Sequence, residues 1–161
     1  MRGQEALFSA DSGEWRTPLP LFDKLNEEFG FTFDAAATSE NALVRDWTAN
    51  ALNDACEWGA CAYCNPPYGD GVDRWLEKAY HEAEGGSTVV MLLPARTDTR
   101  WWHRYVMRAD EVRFIPGRIK FEHPSKVVNS APFPSCIVVF RPLPSARRHG
   151  GPRMMAWSYR G

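Results

Sequence analysis

The sequence predicts an α/β fold, a compact three-layer α/β/α arrangement around a mostly parallel sheet, and three observations carry that expectation. Short apolar runs at 31–34, 60–64, 88–93, 111–115 and 135–140 alternate with segments of helical periodicity. The run Thr-Val-Val-Met-Leu-Leu at 88–93 is continuously apolar, as a central strand covered on both faces requires. The chain has 161 residues, 44% hydrophobic and 13% aromatic, which suffices for one domain with such a core and excludes disorder.

Each element has a local justification. Thr17 is an N-cap candidate, Pro18 suits the first helical position and Gly30 the C-cap, while Leu21, Phe22, Leu25 and Phe29 form one apolar face between them. A strand at 31–34 runs into Ala35-Ala36-Ala37, and 38–59 shows no clear pattern. Strand 60–64 leads into Asn65-Pro66-Pro67-Tyr68. A helix over 71–84 buries Val72, Trp75, Leu76, Ala79, Tyr80 and Ala83, and Gly85-Gly86 ends it. After strand 88–93 come a helix over 98–108, strand 111–115, a turn at Pro116-Gly117 and strand 118–121. A loop rich in Pro, Ser and Asn covers 123–134, and strand 135–140 completes the sheet. The domain is expected to span 14–140, with 1–13 and 141–161 as flexible termini.

Composition narrows the classes further. No apolar run approaches the ~18 residues of a membrane span, and no basic-then-apolar leader opens the chain, so a cytoplasmic protein is expected. Four cysteines in a chain of this size do not suggest a disulfide scaffold. Cys61 and Cys64 have zinc-ligand spacing but fall inside an apolar strand, where cysteine behaves as a small hydrophobe, and no metal is expected. The net charge of −1 hides a gradient. Residues 1–57 carry eleven acidic and four basic side chains, 58–122 nine of each, and 123–161 six basic and none acidic. Local basic faces therefore matter more than the total.

Asn65-Pro66-Pro67-Tyr68 carries the chemistry. It begins where a buried strand ends, and in open α/β sheets ligands bind beyond the carboxyl ends of the strands. An exocyclic amine on a nucleobase is a poor nucleophile because its lone pair is delocalised into the ring. Two acceptors aimed at its N–H bonds, the Asn65 side-chain oxygen and the Pro66 carbonyl, would pull the nitrogen toward tetrahedral geometry and free that pair. The consecutive prolines fix φ and remove competing N–H donors. Tyr68 offers an aromatic face to a flipped-out base. Read as local structure alone, the tetrapeptide is a rigid turn. A second signal is the recurrence of Arg96, Arg100, Arg104 and Arg108 every four residues, a spacing that suits a phosphate backbone when it falls on one helix face. Arg118 and Lys120 add basic side chains nearby in sequence.

The chain resembles the small, phage-type DNA N6-adenine methyltransferases. The matching stretches are Glu14-Trp-Arg-Thr-Pro18, Phe29-Gly-Phe-Thr-Phe-Asp-Ala-Ala-Ala-Thr38, Asn50-Ala-Leu52, Cys64-Asn-Pro-Pro-Tyr-Gly69, Val90-Met-Leu-Leu-Pro-Ala-Arg-Thr-Asp-Thr99, Gly117-Arg-Ile-Lys-Phe121 and Ala131-Pro-Phe-Pro-Ser135. The resemblance implies a Rossmann-like class I methyltransferase fold with an antiparallel strand near the end of its sheet. It also implies S-adenosylmethionine as methyl donor, S-adenosylhomocysteine as product, and double-stranded DNA with a flipped adenine as substrate, in a host cytoplasm if phage-encoded. Carried over residue by residue, Asn65, Pro66, Pro67 and Tyr68 match the catalytic motif. Trp15, Thr17, Pro18, Asp34, Ala35, Ala36, Asn50, Leu52 and Asn65 match cofactor-binding positions. Arg96, Arg100, Arg104, Arg108, Arg118 and Lys120 are the expected DNA contacts. Where the general methyltransferase pattern has a glycine loop, this chain has Asp34-Ala-Ala-Ala-Thr38, and the acidic residue for the cofactor ribose is open among Glu40, Asp46 and Asp54. The motif alone also admits RNA adenine or a protein glutamine amide as acceptor, and a third reading is a non-catalytic DNA-binding module on the same fold.

Overall fold

The computed structural model of the protein describes residues 16–123, 129–142 and 150–161. The first helix, α1 (Leu19–Phe29), ends as the sequence predicts: Gly30 takes the left-handed conformation (φ 64°), and its N–H donates to the Asn26 carbonyl. Its start differs from expectation. Pro18 occupies the cap position, and no side chain caps the helix. The Thr17 hydroxyl is engaged 2.6 Å from the Tyr63 hydroxyl instead, so it does not serve as an N-cap.

Six strands follow: β1 (Phe33–Asp34), β2 (Cys61–Cys64), β3 (Thr88–Pro94), β4 (Glu111–Phe114), β5 (Ser135–Phe140) and β6 (Arg153–Ala156). They form one sheet in the order β1-β2-β3-β5-β4-β6. β1, β2 and β3 pair in parallel, as do β4 and β6, and β5 runs antiparallel to both β3 and β4. Two helices lie between strands, α2 (Val72–Glu84) before β3 and α3 (Arg100–Arg104) after it.

Register and ring contacts settle the layers. Tyr63, Val90, Val139 and Glu111 stand side by side across β2, β3, β5 and β4 and so share a face. Tyr63 meets Phe22 of α1 at 5.3 Å on that face. Phe140 alternates to the other face, where Tyr80 of α2 meets it edge-on at 6.4 Å. Helices therefore cover both faces, and residues 89–94 and 135–140 are buried throughout. The sheet is mixed α/β, mostly parallel, as expected.

The open segment before β2 is now defined, and three expectations change. No helix fills the crossover between β1 and β2; residues 35–60 make turns, and the Asp34–Trp47 bridge covers the outer edge of β1. The helix expected over 98–108 is α3 alone, followed by a 3-10 turn at Val106–Arg108, because Tyr105 leaves helical dihedrals (φ −120°) as its ring packs toward Tyr80. Residues 118–121 do not form a strand: Ile119 and Phe121 are buried, but the backbone makes isolated bonds, Ala131 N–H to the Ile119 carbonyl and Glu122 to Arg16. The segment 141–161, expected as a flexible terminus, supplies β6, whose parallel pairing with β4 follows from a free edge beside Glu111–Phe114. Residues 1–13 lie outside the described residues.

α1 is fixed to β4 through charge. Arg113 donates from both terminal nitrogens to the Glu28 carboxylate at 2.6 Å and from Nε to Glu111 at 2.8 Å. Arg141 donates to the other Glu111 oxygen at 3.1 Å, and both guanidinium groups lie over the Phe29 ring. The hydrogen bonds from Arg113 hold the Glu28 carboxyl below its usual range. Burial pushes Glu111 up, but its bonds to Arg113 and Arg141 outweigh this and leave it lowered. Depressed carboxylates contribute stability above their unfolded pKa that is lost as pH falls through the folded one. Arg113→Met, which leaves Glu111 buried with fewer donors, should lower stability by about 3 kcal/mol near neutral pH. Urea midpoints should show wild type losing its advantage over this variant as pH falls below about 4.5.

Candidate active site

The chain leaves the sheet at Cys64 with all four residues of β2 buried, and the half-buried Asn65 follows directly. Pro66 is buried and Pro67 exposed. Gly71, at φ 128°, turns the chain into α2, and a side chain there would be strained. β2 and β3 are parallel, so the Asn-Pro-Pro-Tyr turn and the end of β3 at Pro94 lie at one end of the sheet.

A hydrogen-bonded chain runs through the motif. Tyr68 Oη lies 2.8 Å from Asn65 Oδ1 and 3.0 Å from the Leu92 carbonyl. Asn65 Nδ2 lies 3.4 Å from Thr17 Oγ1, which is 2.6 Å from Tyr63 Oη. Burial raises both phenols well above their ordinary range, so both keep their protons. Tyr68 is nearly buried, with Phe133 at 5.4 Å and Phe121 at 6.2 Å meeting its ring at steep angles. The Tyr68 hydroxyl thus links Asn65 to β3.

Beside Asn65 runs a cleft with two connected parts. One is lined by Thr17, Asp34, Ala36, Asn41, Leu43 and Tyr63, and the other by Thr38, Thr48, Ala49, Pro67 and Trp75, with Ala36, Asn41 and Asn65 common to both. Asp34 is 3% exposed, and one carboxylate oxygen accepts from the Leu43 N–H at 3.0 Å. Burial raises its pKa, partly offset by bonds from Leu43 and Ala36, and no Lys, Arg or His among the described residues pairs with it. A buried carboxylate without a cation is costly, and its open side suits a positively charged group.

The structure thus brings Thr17, Asp34, Ala36, Asn65 and Pro67 to one cleft, with Ala35 buried behind it and Pro18 one residue along at the start of α1. Asn50 follows Thr48 and Ala49, which do line the cleft, whereas Leu52 lines a different groove with Asp54, Arg74 and Glu77. Trp15 lies outside the described residues. Glu40 is exposed and bonded to Ser39. Sequence reasoning missed Asn41, Leu43, Thr48 and Ala49 because the patternless 38–59 segment gave no local signal, and it read Trp75 and Tyr63 only as core positions of helix 71–84 and strand 60–64.

Of the expected basic positions, Arg96, Arg118 and Lys120 follow the ends of β3 and β4 nearest the turn, whereas Arg108 leads into the start of β4 at the opposite end of the sheet. Arg96 lies over the Phe133 ring at 5.7 Å, and Phe133 touches Tyr68. Arg100, Arg104 and Arg108 are exposed, but the break at Tyr105 leaves only Arg100 and Arg104 one turn apart on α3. Arg118 and Lys120 are exposed beside Phe121, the second ring against Tyr68.

This site can be compared with known proteins. The sequence model of the DNA N-6-adenine-methyltransferase (Dam) family matches residues 5–159. The chain belongs to that family. A DNA N-6-adenine-methyltransferase of Escherichia phage T1 is 30% identical to it over 105 residues, 63% of this chain and 44% of the T1 protein. The chain therefore spans less than half the length of that relative. A DNA N-6-adenine-methyltransferase of Haemophilus phage HP1 is 27% identical over 140 residues, 83% of this chain and 81% of the HP1 protein. The family match reaches past 140 to include the strand at Arg153–Ala156, in keeping with its place in the sheet.

In this Dam-family chain, Tyr68→Phe keeps the ring and its two aromatic contacts but removes a buried hydroxyl. It should destabilise by about 1 kcal/mol. Tyr68→Ala, which also leaves a cavity, should cost about 3–5 kcal/mol. Denaturant midpoints distinguish the two.

Proposed function

We propose that the chain transfers a methyl group from S-adenosylmethionine to the N6 amine of an adenine flipped out of double-stranded DNA. The observation that carries this reading is the side chain of Asn65, held by Thr17 and Tyr68 at the rim of a cleft whose only buried charge is Asp34 among the described residues. The cleft fits the cofactor: an unpaired buried carboxylate suits a cationic amino acid end, and Ala36, Ala49 and Trp75 suit a flat apolar one. Asp34, Ala36, Asn41 and Thr17 would hold the methionine end, and Thr48, Ala49 and Trp75 the remainder. The bound sulfonium supplies an electrophilic methyl carbon.

The chain's own residues do the rest. Asn65 Oδ1 and the Pro66 carbonyl accept from the two amine N–H bonds and free the nitrogen lone pair. A neutral amide does not take a proton at pH 7, so the proton leaves to solvent after transfer. Alignment and polarisation, rather than acid–base chemistry, lower the barrier. Phe121 and Phe133, edge-on to Tyr68, make an aromatic surround for an extruded base. Arg96, Arg100, Arg118 and Lys120 would meet phosphates around that opening, with Arg104 and Arg108 extending the basic row away from it.

The test is transfer of labelled methyl into unmethylated DNA, with RNA and protein as competing acceptors. Label in DNA supports the reading, and label confined to RNA or protein overturns it. Asn65→Ala should cut kcat about a hundredfold, by analogy with one lost oxyanion-hole donor. Its affinity for the cofactor should stay within a few-fold. Asp34→Asn should weaken S-adenosylmethionine binding in calorimetry. If Arg100, Arg104 and Arg108 each meet a phosphate, changing all three to Gln should flatten the log affinity against log salt plot by about 2–3 units.

A further inference from the structure

Tyr63 sits inside β2, 1% exposed, with its ring against Phe22 and Phe31. Phenylalanine would fill that space equally well, and a buried hydroxyl is costly unless it is bonded. Among the described residues the hydroxyl has one partner, Thr17 Oγ1 at 2.6 Å, and Thr17 itself is 3% exposed. Thr17 in turn lies 3.4 Å from one end of the Asn65 amide, whose other end is 2.8 Å from Tyr68 Oη.

Counting protons along this chain fixes the amide. With Oδ1 toward Tyr68, the single Tyr68 proton faces two acceptors, Oδ1 and the Leu92 carbonyl. In the same arrangement one of the two hydroxyl protons on Tyr63 and Thr17 finds no acceptor within the chain. With the amide turned over, every donor has one acceptor: Tyr63 O–H to Thr17 Oγ1, Thr17 O–H to Asn65 Oδ1, Asn65 N–H to Tyr68 Oη, and Tyr68 O–H to the Leu92 carbonyl. The orientation of a side-chain amide is assigned by such a count.

We propose that Tyr63 is a positioning residue for Asn65: through Thr17 its buried hydroxyl holds the amide with oxygen toward Thr17 and nitrogen toward Tyr68. One lone pair of that oxygen is left for the substrate amine. The inference rests on the methyl-transfer reading above. It links the cofactor side of the cleft, at Thr17, to the base side, at Tyr68, through one side chain.

A double-mutant cycle tests it, with Tyr63→Phe made in the wild-type and Asn65→Ala backgrounds. In wild type, kcat for DNA methylation should fall about tenfold, the size of one net hydrogen bond. S-adenosylmethionine affinity should hold near wild type, and the melting temperature should fall by no more than for Tyr68→Phe. In the Asn65→Ala background the same change should cost nothing further in kcat. Thr17→Val should repeat the kcat pattern in both backgrounds at saturating S-adenosylmethionine, which keeps the test open if Tyr63→Phe folds poorly. Its own cofactor affinity should be weaker, because Thr17 also lines the cofactor side. An equal loss in the two backgrounds, or full activity of Tyr63→Phe in wild type, would overturn the proposal while leaving the methyl-transfer reading intact. A wild-type chain that does not methylate DNA would overturn that reading instead.

Discussion

Pairing of β2 between β1 and β3 is the constraint on which the site depends. All four β2 residues are buried, so Asn65 follows directly on a strand fixed from both sides. The prolines then remove backbone donors and fix φ, and Tyr68 returns a hydroxyl to the β3 carbonyl at Leu92. Strand, turn and neighbouring strand therefore form one rigid unit. The precision of Asn65 comes from the sheet rather than from the turn alone. A turn of the same sequence on an exposed strand would keep its shape and lose its aim.

The second constraint is the absence of a helix between β1 and β2. Residues 35–60 cross in turns instead, with Trp58 buried and its indole N–H bonded to the Ala51 carbonyl. This compact crossover places Asn41, Leu43, Thr48 and Ala49 along the cleft wall. It also leaves Asp34 near Asn65 with only backbone donors for company, which gives the cleft its uncompensated negative charge. Alanines in place of a glycine loop are compatible with this path: Ala35 and Ala37 are buried, and Ala36 lines both parts of the cleft.

Much of the fold was legible because burial imposes periodicity. The faces of α1 and α2, the continuous apolar run of β3 and the bounds of β5 all follow from which side chains avoid water. The Asn-Pro-Pro-Tyr turn was legible because consecutive prolines directly after an apolar strand stop it and fix the chain's path. What was hidden depends on distant partners. Thr17 has the chemistry of an N-cap, and only the position of Tyr63, 46 residues away, diverts its hydroxyl. Arg113 and Glu28 are 85 residues apart, so their bidentate pair carries no local signature. β6 has exposed and half-buried residues and no strong alternation; the free edge of β4, not its own sequence pattern, makes it a strand. The arginine repeat read as a single helical row, but burial of Tyr105 and Val106 tightens the last turn and turns Arg108 out of line.

The central claim is that Asn65 and Pro66 polarise the exocyclic amine of adenine. Nucleoside analysis of unmethylated double-stranded DNA after incubation with the chain and S-adenosylmethionine tests it most directly. The account predicts N6-methyldeoxyadenosine as the product in wild type, reduced about a hundredfold in rate by Asn65→Ala. Methyl groups on a ring carbon or on cytosine, or equal yields from wild type and Asn65→Ala, would contradict it.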